Sequence, residues 1–256
     1  MPRATHTARL LSVAGLALLL SSTSASAQDP PLPDLSGTWA QLQVTSSVAR
    51  VPVIGEMHSQ TTSILLYHAT QSDNTVSARQ EICDIKMSSE SKRVRTIIPS
   101  SFRKAASGTK RTAKLVWING RLQFVQEPAT VVLGAKLDNS KKDTLPEEDD
   151  DRRVYDQDGD GNPGVTIQIR GLLDAELFLV QRGWNKLIGT VTKDGIDGVM
   201  RWNSEQNVIG STSVFVRSSP PTKPHGGAKQ NYFKMRRVDA DMTCAELRRT
   251  YKSLFN

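Results

Sequence analysis

The sequence predicts an all-β protein, an antiparallel barrel or sandwich that ends in a short C-terminal α-helix. Three observations carry this. Short segments that alternate apolar and polar residues recur along most of the chain, and a period of two is the mark of a half-buried strand. Turn-forming residues separate these segments at close intervals, which favours antiparallel neighbours over an alternating strand–helix plan. Only one stretch, beginning near Thr243, combines helical periodicity with a clear helix start.

The chain opens on Arg3 and Arg9, an apolar run from Leu10 to Leu20 and the small residues Ala25-Ser26-Ala27 before Gln28. That is the pattern of a signal peptide over residues 1–27, cleaved after Ala27, and it places the mature protein in the periplasm or outside the cell. No cysteine follows the cleavage site and there is no twin-arginine pair, so the general secretory route without a lipid anchor is expected. The run is too short to span a bilayer, no later stretch is longer, and no integral membrane association is expected. About 230 residues remain, enough for one sizeable domain. The formal charge of +7 includes the two leader arginines.

Asp29-Pro30-Pro31-Leu32-Pro33 reads as an extended tether over residues 28–34, with a single β-domain over 35–256. Its first strand runs from Leu35 to about Val44. Thr61 to Thr70 and Thr75 to Met87 flank Gln71-Ser72-Asp73-Asn74, a hairpin turn. Leu115 to Ile118 and Arg121 to Gln126 flank Asn119-Gly120, the strongest short hairpin signal because both residues tolerate positive φ. Ala129 to Leu137 is a further strand. An acidic loop over about 138–164 leads to strands at Val165 to Arg170, Glu176 to Arg182, Lys186 to Thr192, Gly198 to Asn203 and Thr212 to Arg217. Ser218 to Gly227 reads as a flexible loop and Tyr232 to Val238 as the last strand. Thr243-Cys244-Ala245-Glu246 has the form of a capping box, and Leu247, Tyr251 and Leu254 then recur at helical spacing.

Chemistry concentrates in Asp156-Gln157-Asp158-Gly159-Asp160-Gly161-Asn162. Alternate aspartates on a curled loop converge on one point, and Gly161 permits the sharp turn. The run resembles the D-x-D-x-D-G calcium loops of EF-hand and thrombospondin type 3 repeats. That resemblance implies Asp156, Asp158 and Asp160 as side-chain ligands of calcium and Asn162 as a backbone-carbonyl ligand. The chain departs from the EF-hand pattern where a bidentate glutamate belongs, at Ile167, and the flanks read as strand rather than helix. Any missing ligand would come from Asp149, Asp150, Asp151 or Asp174. The alternative is a solvated acidic turn that starts a strand.

Gly37-Thr38-Trp39, shortly after the leader, is similar to the opening of lipocalins and other calycin barrels. The resemblance implies a barrel whose floor Trp39 closes, with an arginine from near the chain end stacked on it; Arg217, Arg236 and Arg237 are the candidates. It also implies a pocket for a small apolar or amphipathic molecule with Trp39 at one end. A core tryptophan in another β-fold is the plain alternative.

Two cysteines, Cys83 and Cys244, in an exported chain are expected to be joined. From Lys92 to Lys114 the charged residues are all basic. Such a block suits an anionic surface such as lipid head groups or nucleic acid, but it lacks the interleaved aromatics of a single-strand binder. A solvated loop facing the acidic block is preferred, and no specific nucleic acid is expected. After the leader only His58, His68 and His225 remain, without zinc spacing, and no nucleophile elbow or phosphate loop is present. No enzyme is expected. Two functions follow: an exported calcium-type barrel with a small-molecule pocket, or a calcium-rigidified interaction domain with a filled core.

Overall fold

Along the first strand, β1 (Gly37–Val51), odd residues such as Trp39 and Gln43 turn to the inside of the sheet and Ala40, Leu42 and Val44 to the outside. Both faces are buried, which is why this strand reads as almost continuously non-charged. The computed structural model describes Met1 and residues 29–51, 55–90, 94–171, 174–216, 218 and 220–256. The leader beyond Met1, with its cleavage site, lies outside the described residues, as do Lys92, Arg93 and Arg217. The chain divides into Met1–Pro30 and Pro31–Asn256, and the strands and helices of the described residues lie in the second unit.

β1 forms a meander with β2 (Gly55–Ser72) and β3 (Thr75–Ser89). The further strands are β4 (Val94–Ile97), β5 (Lys110–Ile118), β6 (Arg121–Leu133), β7 (Val165–Gly171), β8 (Ala175–Thr192), β9 (Gly195–Ser211), β10 (Thr222–Pro224) and β11 (Tyr232–Arg237). All strand pairings among the described residues are antiparallel. Because β1 pairs with β2 on one side and β11 on the other, the sheet closes in the order β1-β2-β3-β5-β6-β8-β9-β11 and back to β1. A ring has no unpaired edges, so the architecture is barrel-like rather than a sandwich.

The two ends of the ring are built differently. At one end β5 and β6 lie between β3 and β8, with Val76 opposite Ala113 and Phe124 opposite Gly189. At the other, β4 and β7 take that place: Lys86 is opposite Ile97, Ile97 opposite Gln168 and Ile167 opposite Leu177. There β10 also pairs with β1, Val48 opposite Lys223. The first end is filled by Trp39, Tyr67, Phe124, Leu187, Ile196 and Phe233. Arg237 closes it. Its guanidinium lies 4.7 Å from the centre of the Trp39 ring and donates to the carbonyls of Ser36 and Asp34 at 2.5 and 2.7 Å.

Turn chemistry explains several boundaries. Asn119 and Gly120 both have positive φ, 50° and 71°, as a two-residue hairpin requires. Some strands run longer than their alternation suggests. β6 is one strand through Glu127-Pro128, where the register with β8 shifts; a bulge is where a residue without an N–H is tolerated. β8 runs unbroken through Gly183. The strand expected over Thr212 to Arg217 does not form in the described part. Ser213 turns the chain instead: its N–H donates to Ser211 Oγ and its carbonyl accepts from Val216, the local bonding by which serine competes with a ladder. Residues 31–34 are not a free tether, since Leu32 packs on the filled core and Gln71 Nε2 donates to Pro33 O. The basic block is not a solvated loop in its described part: it holds β4, helix α1 (Ser100–Ala106) and the start of β5.

The terminal helix α2 (Cys244–Phe255) has its capping box in place: Thr243 Oγ1 accepts from the Glu246 N–H, and a Glu246 oxygen accepts from the Thr243 N–H. Leu247 and Phe255 are buried against Ala40, Leu42, Val44, Ile64 and Leu66 on the outer wall. Full burial of one such side chain contributes roughly 1.5–3 kcal/mol. Cys83 sits on the same outer face because β3 carries an extra residue there, Ile64 pairing with Asp84 and Leu65 with Ile82. It is joined to Cys244.

The long loop between β6 and β7 is ordered by its own polar groups. Gly134 and Gly164, both at positive φ, pack against the Leu179 carbonyl, where a Cβ would come within 2.5 and 2.3 Å. Gln157 ties the loop down, accepting from the Gly134 N–H at 2.7 Å and donating to Ala105 O on α1 at 3.2 Å. Arg153 is paired with Asp151 at 2.6 Å and donates to Thr144 O. That guanidinium holds the Asp151 carboxyl at about 2.

Two outcomes follow from these ties. The bond from Cys83 to Cys244 spans 161 residues of sequence, so the chain-entropy limit on its contribution is about 5 kcal/mol. Denaturant unfolding of the Cys83→Ser/Cys244→Ser double variant is expected to show a loss of about 2–5 kcal/mol; an unchanged midpoint would contradict it. For Asp151 the folded pKa lies below the unfolded value of about 3.9. Its contribution to stability is therefore present above that value and is lost as pH falls through about 2. Carboxyl NMR titration should give a midpoint near 2 in the wild type and a return toward about 3.9 in Arg153→Ala.

Candidate functional site

The end of the ring opposite Trp39 is hollow. A cavity of about 460 Å³ lies inside it, with walls of two characters. Ile82, Ile98, Leu133, Ile167, Leu177 and Leu179 form an apolar side, continuous with the cluster that includes Phe102 of α1. Thr45, Ser47, Ser59, Thr61 and Ser63 from β1 and β2 form a hydroxyl side. Trp184, Pro220 and Thr222 also border it. Small side chains on two long strands leave the space that aromatic residues occupy at the filled end.

A belt of buried polar side chains lies between the two ends. Gln41 Oε1 accepts from Gln43 Nε2 at 3.0 Å and from Gln80 Nε2 at 2.8 Å. Gln80 Oε1 accepts from Arg111 Nε at 2.8 Å. Gln126 Nε2 donates to Asn185 Oδ1 at 3.2 Å. Gln43, Gln80, Arg111 and Asn185 reach the cavity surface. The belt is incompletely satisfied: Gln41 Nε2, Tyr67 Oη and Gln126 Oε1 are buried without a partner. Burial pushes the Arg111 guanidinium below its ordinary pKa, opposed by the nearby Tyr67, and burial pushes the Tyr67 phenol well above its usual range.

Trp39, expected at one end of a pocket, is in the filled core and does not border the cavity. Of the arginines proposed to stack on it, Arg237 does so, while Arg236 pairs with Asp197. Neither Arg111 nor its glutamine partners were singled out by motif. A signal existed nonetheless: in Lys110-Arg111-Thr112-Ala113-Lys114-Leu115, Arg111 shares the parity of Ala113 and Leu115, the face of β5 that turns inward.

The acidic turn is a second site, on the outside. Carboxylate oxygens of Asp156, Asp158 and Asp160 lie within 4.8 Å of one another. Asp156 organises the turn, accepting from the N–H groups of Gly159, Asp160 and Gly161; the Gly161 bond first among these holds its carboxyl below the usual range. Asp158 accepts from Ser101 Oγ of α1 and from the Thr166 N–H at the start of β7. Its other oxygen, Oδ1, is buried without a partner. Burial raises the Asp158 carboxyl, the Thr166 N–H opposes this, and Asp160 raises it further. Asn162 follows on the same turn, its N–H donating to Asp160 Oδ1.

Three crowded carboxylates, one with an unsatisfied oxygen, form an arrangement that a hard cation would complete. Among the described residues no other group of three acidic, histidine or cysteine side chains is gathered closely enough for a metal. The proposed supplements are elsewhere: Asp151 is bound to Arg153, and Asp174 accepts from the Gly171 N–H. His58 and His225 face each other at 4.4 Å, and His68 lies beside Thr38. Among the described residues no helix is long and apolar enough to cross a membrane.

No family model matches the chain, and no curated protein or solved structure matches it either.

Proposed function

We propose that this is an exported barrel that binds one small apolar or amphipathic molecule in its hollow end, with calcium held on the Asp156–Asp158–Asp160 turn as a stabiliser of the wall. The observation that carries the reading is the cavity of about 460 Å³ between an apolar and a hydroxyl-bearing wall. Its size falls within the range of about 300–1,000 Å³ over which proteins enclose a single ligand. The rival reading, an interaction domain with no interior space, requires a core filled along its whole length. The disulfide between Cys83 and Cys244 supports export, since such bonds persist in oxidising compartments. Calcium is favoured over magnesium because the turn is irregular and offers carboxylates, whereas magnesium demands an octahedral shell and retains its waters.

A fluorescent single-chain lipid should bind the protein at micromolar concentration. Thr61→Trp, which places an indole in the cavity, should abolish that binding while leaving the melting temperature unchanged or raised. Failure of lipids and apolar dyes to bind the wild type would sink the ligand reading.

Calcium should bind with a dissociation constant of roughly 0.1–1 mM, the range of extracellular modules. Free calcium at about 100 times that constant would add about 2.7 kcal/mol, a rise in melting temperature of roughly 5–11 °C. Asp160→Asn should weaken binding and leave the ion-free melting temperature unchanged, because Asp160 is exposed and bonds only within the turn. Absence of binding heat at millimolar calcium, together with unshifted melting, would leave an acidic turn and nothing more.

A further inference from the structure

Among the described residues, Arg111 is the only charged side chain on the cavity wall. It is 8 % exposed, and the ion pairs among the described residues belong to other groups. Its hydrogen-bond partners are neutral: Gln80 Oε1 on Nε and, at 3.3 Å, the Ala129 carbonyl on one terminal nitrogen. A buried cation is retained at a cost unless an opposite charge completes it. These carbonyl partners engage Nε and one terminal nitrogen but leave the charge uncompensated. Around it, Tyr67 Oη and Gln41 Nε2 are buried donors without acceptors, and both belong to the belt that floors the cavity.

We infer that Arg111 anchors the carboxylate of a single-chain amphiphile, a fatty acid, which enters head first with its chain along the wall of Ile82, Ile98, Leu133 and Leu179. This rests on the ligand-binding reading above and names the ligand class of that site. The charge count selects the head group. A carboxylate is a monoanion whose two oxygens match the guanidinium fork, so one buried positive charge meets one negative. A phosphate monoester carries a second charge for which the wall has no counterpart among the described residues. A neutral alcohol or amide leaves Arg111 as it stands. The tail needs the opposite environment, and the cavity supplies it beyond the belt, where the apolar cluster of β7, β8 and α1 begins.

The test compares palmitate, hexadecanol and hexadecyl phosphate on the wild type, Arg111→Met and Arg111→Lys, by displacement of an apolar dye and by calorimetry. Melting curves establish that each variant is folded. Wild type should prefer palmitate over hexadecanol by about tenfold to a hundredfold, the value of one charge-assisted contact. Arg111→Met should bind the two equally. Arg111→Lys should keep a smaller preference, because an ammonium retains the charge but not the fork. Should Arg111→Met fail to fold, the wild-type preference and its reduction in Arg111→Lys carry the test alone. Equal binding of palmitate and hexadecanol by the wild type overturns the inference and leaves the cavity reading intact. So does a preference that survives in folded Arg111→Met, or stronger binding of hexadecyl phosphate. If neither the dye nor any amphiphile binds, both readings fall.

Discussion

Closure of the ring through β1 is the constraint on which everything else rests. β1 is paired along one side with β2 and along the other with β11 and β10, so its two faces have fixed neighbours. The inner face must be either filled or left hollow; the outer face, with Ala40, Leu42 and Val44, must be covered. Helix α2 provides the cover, and its bond to Cys83 fixes it over that wall. Inside, the sequence makes both choices on one strand. Trp39 fills; Thr45, Ser47 and Ala49 do not. The switch falls at Gln41 and Gln43, where the Gln41 carbonyl finds donors in Gln43 and Gln80 while its amide nitrogen is left without a partner.

The acidic turn and the cavity are neighbours through a short helix. Asp158 accepts from Ser101, Gln157 donates to Ala105, and Phe102 and Ala106 of the same helix border the hollow. α1 has no side-chain cap at its start and is short enough to be marginal alone. Its position therefore depends on the loop that grips it from outside and on Phe102 packing from within. Charge on the turn and shape of the wall are thus carried by the same seven-residue helix.

Features set by neighbouring residues were legible in the chain: the Asn119-Gly120 hairpin, the Thr243 to Glu246 cap, the curl of aspartates around Gly161. Stacking of Arg237 on Trp39 was accessible only through a resemblance, which left three arginines open. What escaped was decided by distant partners. α1 has the basic composition of a solvated segment, and it is a helix because Phe102 finds the cluster of Leu133, Ile167 and Leu177. The extent of β8 past Gly183 is set by β9 and β6 on its flanks. Arg111 was read as one charge in a basic run, although the alternation of β5 turned it inward. A period of two assigns a face without saying which face encloses empty space, and that depends on the girth of a ring no single strand encodes.

Pairing of β1 with β11 joins the start of the domain to its end: Ser46 is bonded to Asn231 and Arg237 to Ser36 across 185 and 201 positions. Contacts so remote in sequence form slowly, because a long chain must be ordered before they reward it. A chain synthesised N-terminus first would present β1 with β2 alone, one edge bare, until its last residues arrived. An open edge is a template for another chain. The interval between first and last strand is thus the time during which this protein is most exposed to mispairing, and the hollow end, with little interior packing, contributes least to shortening it.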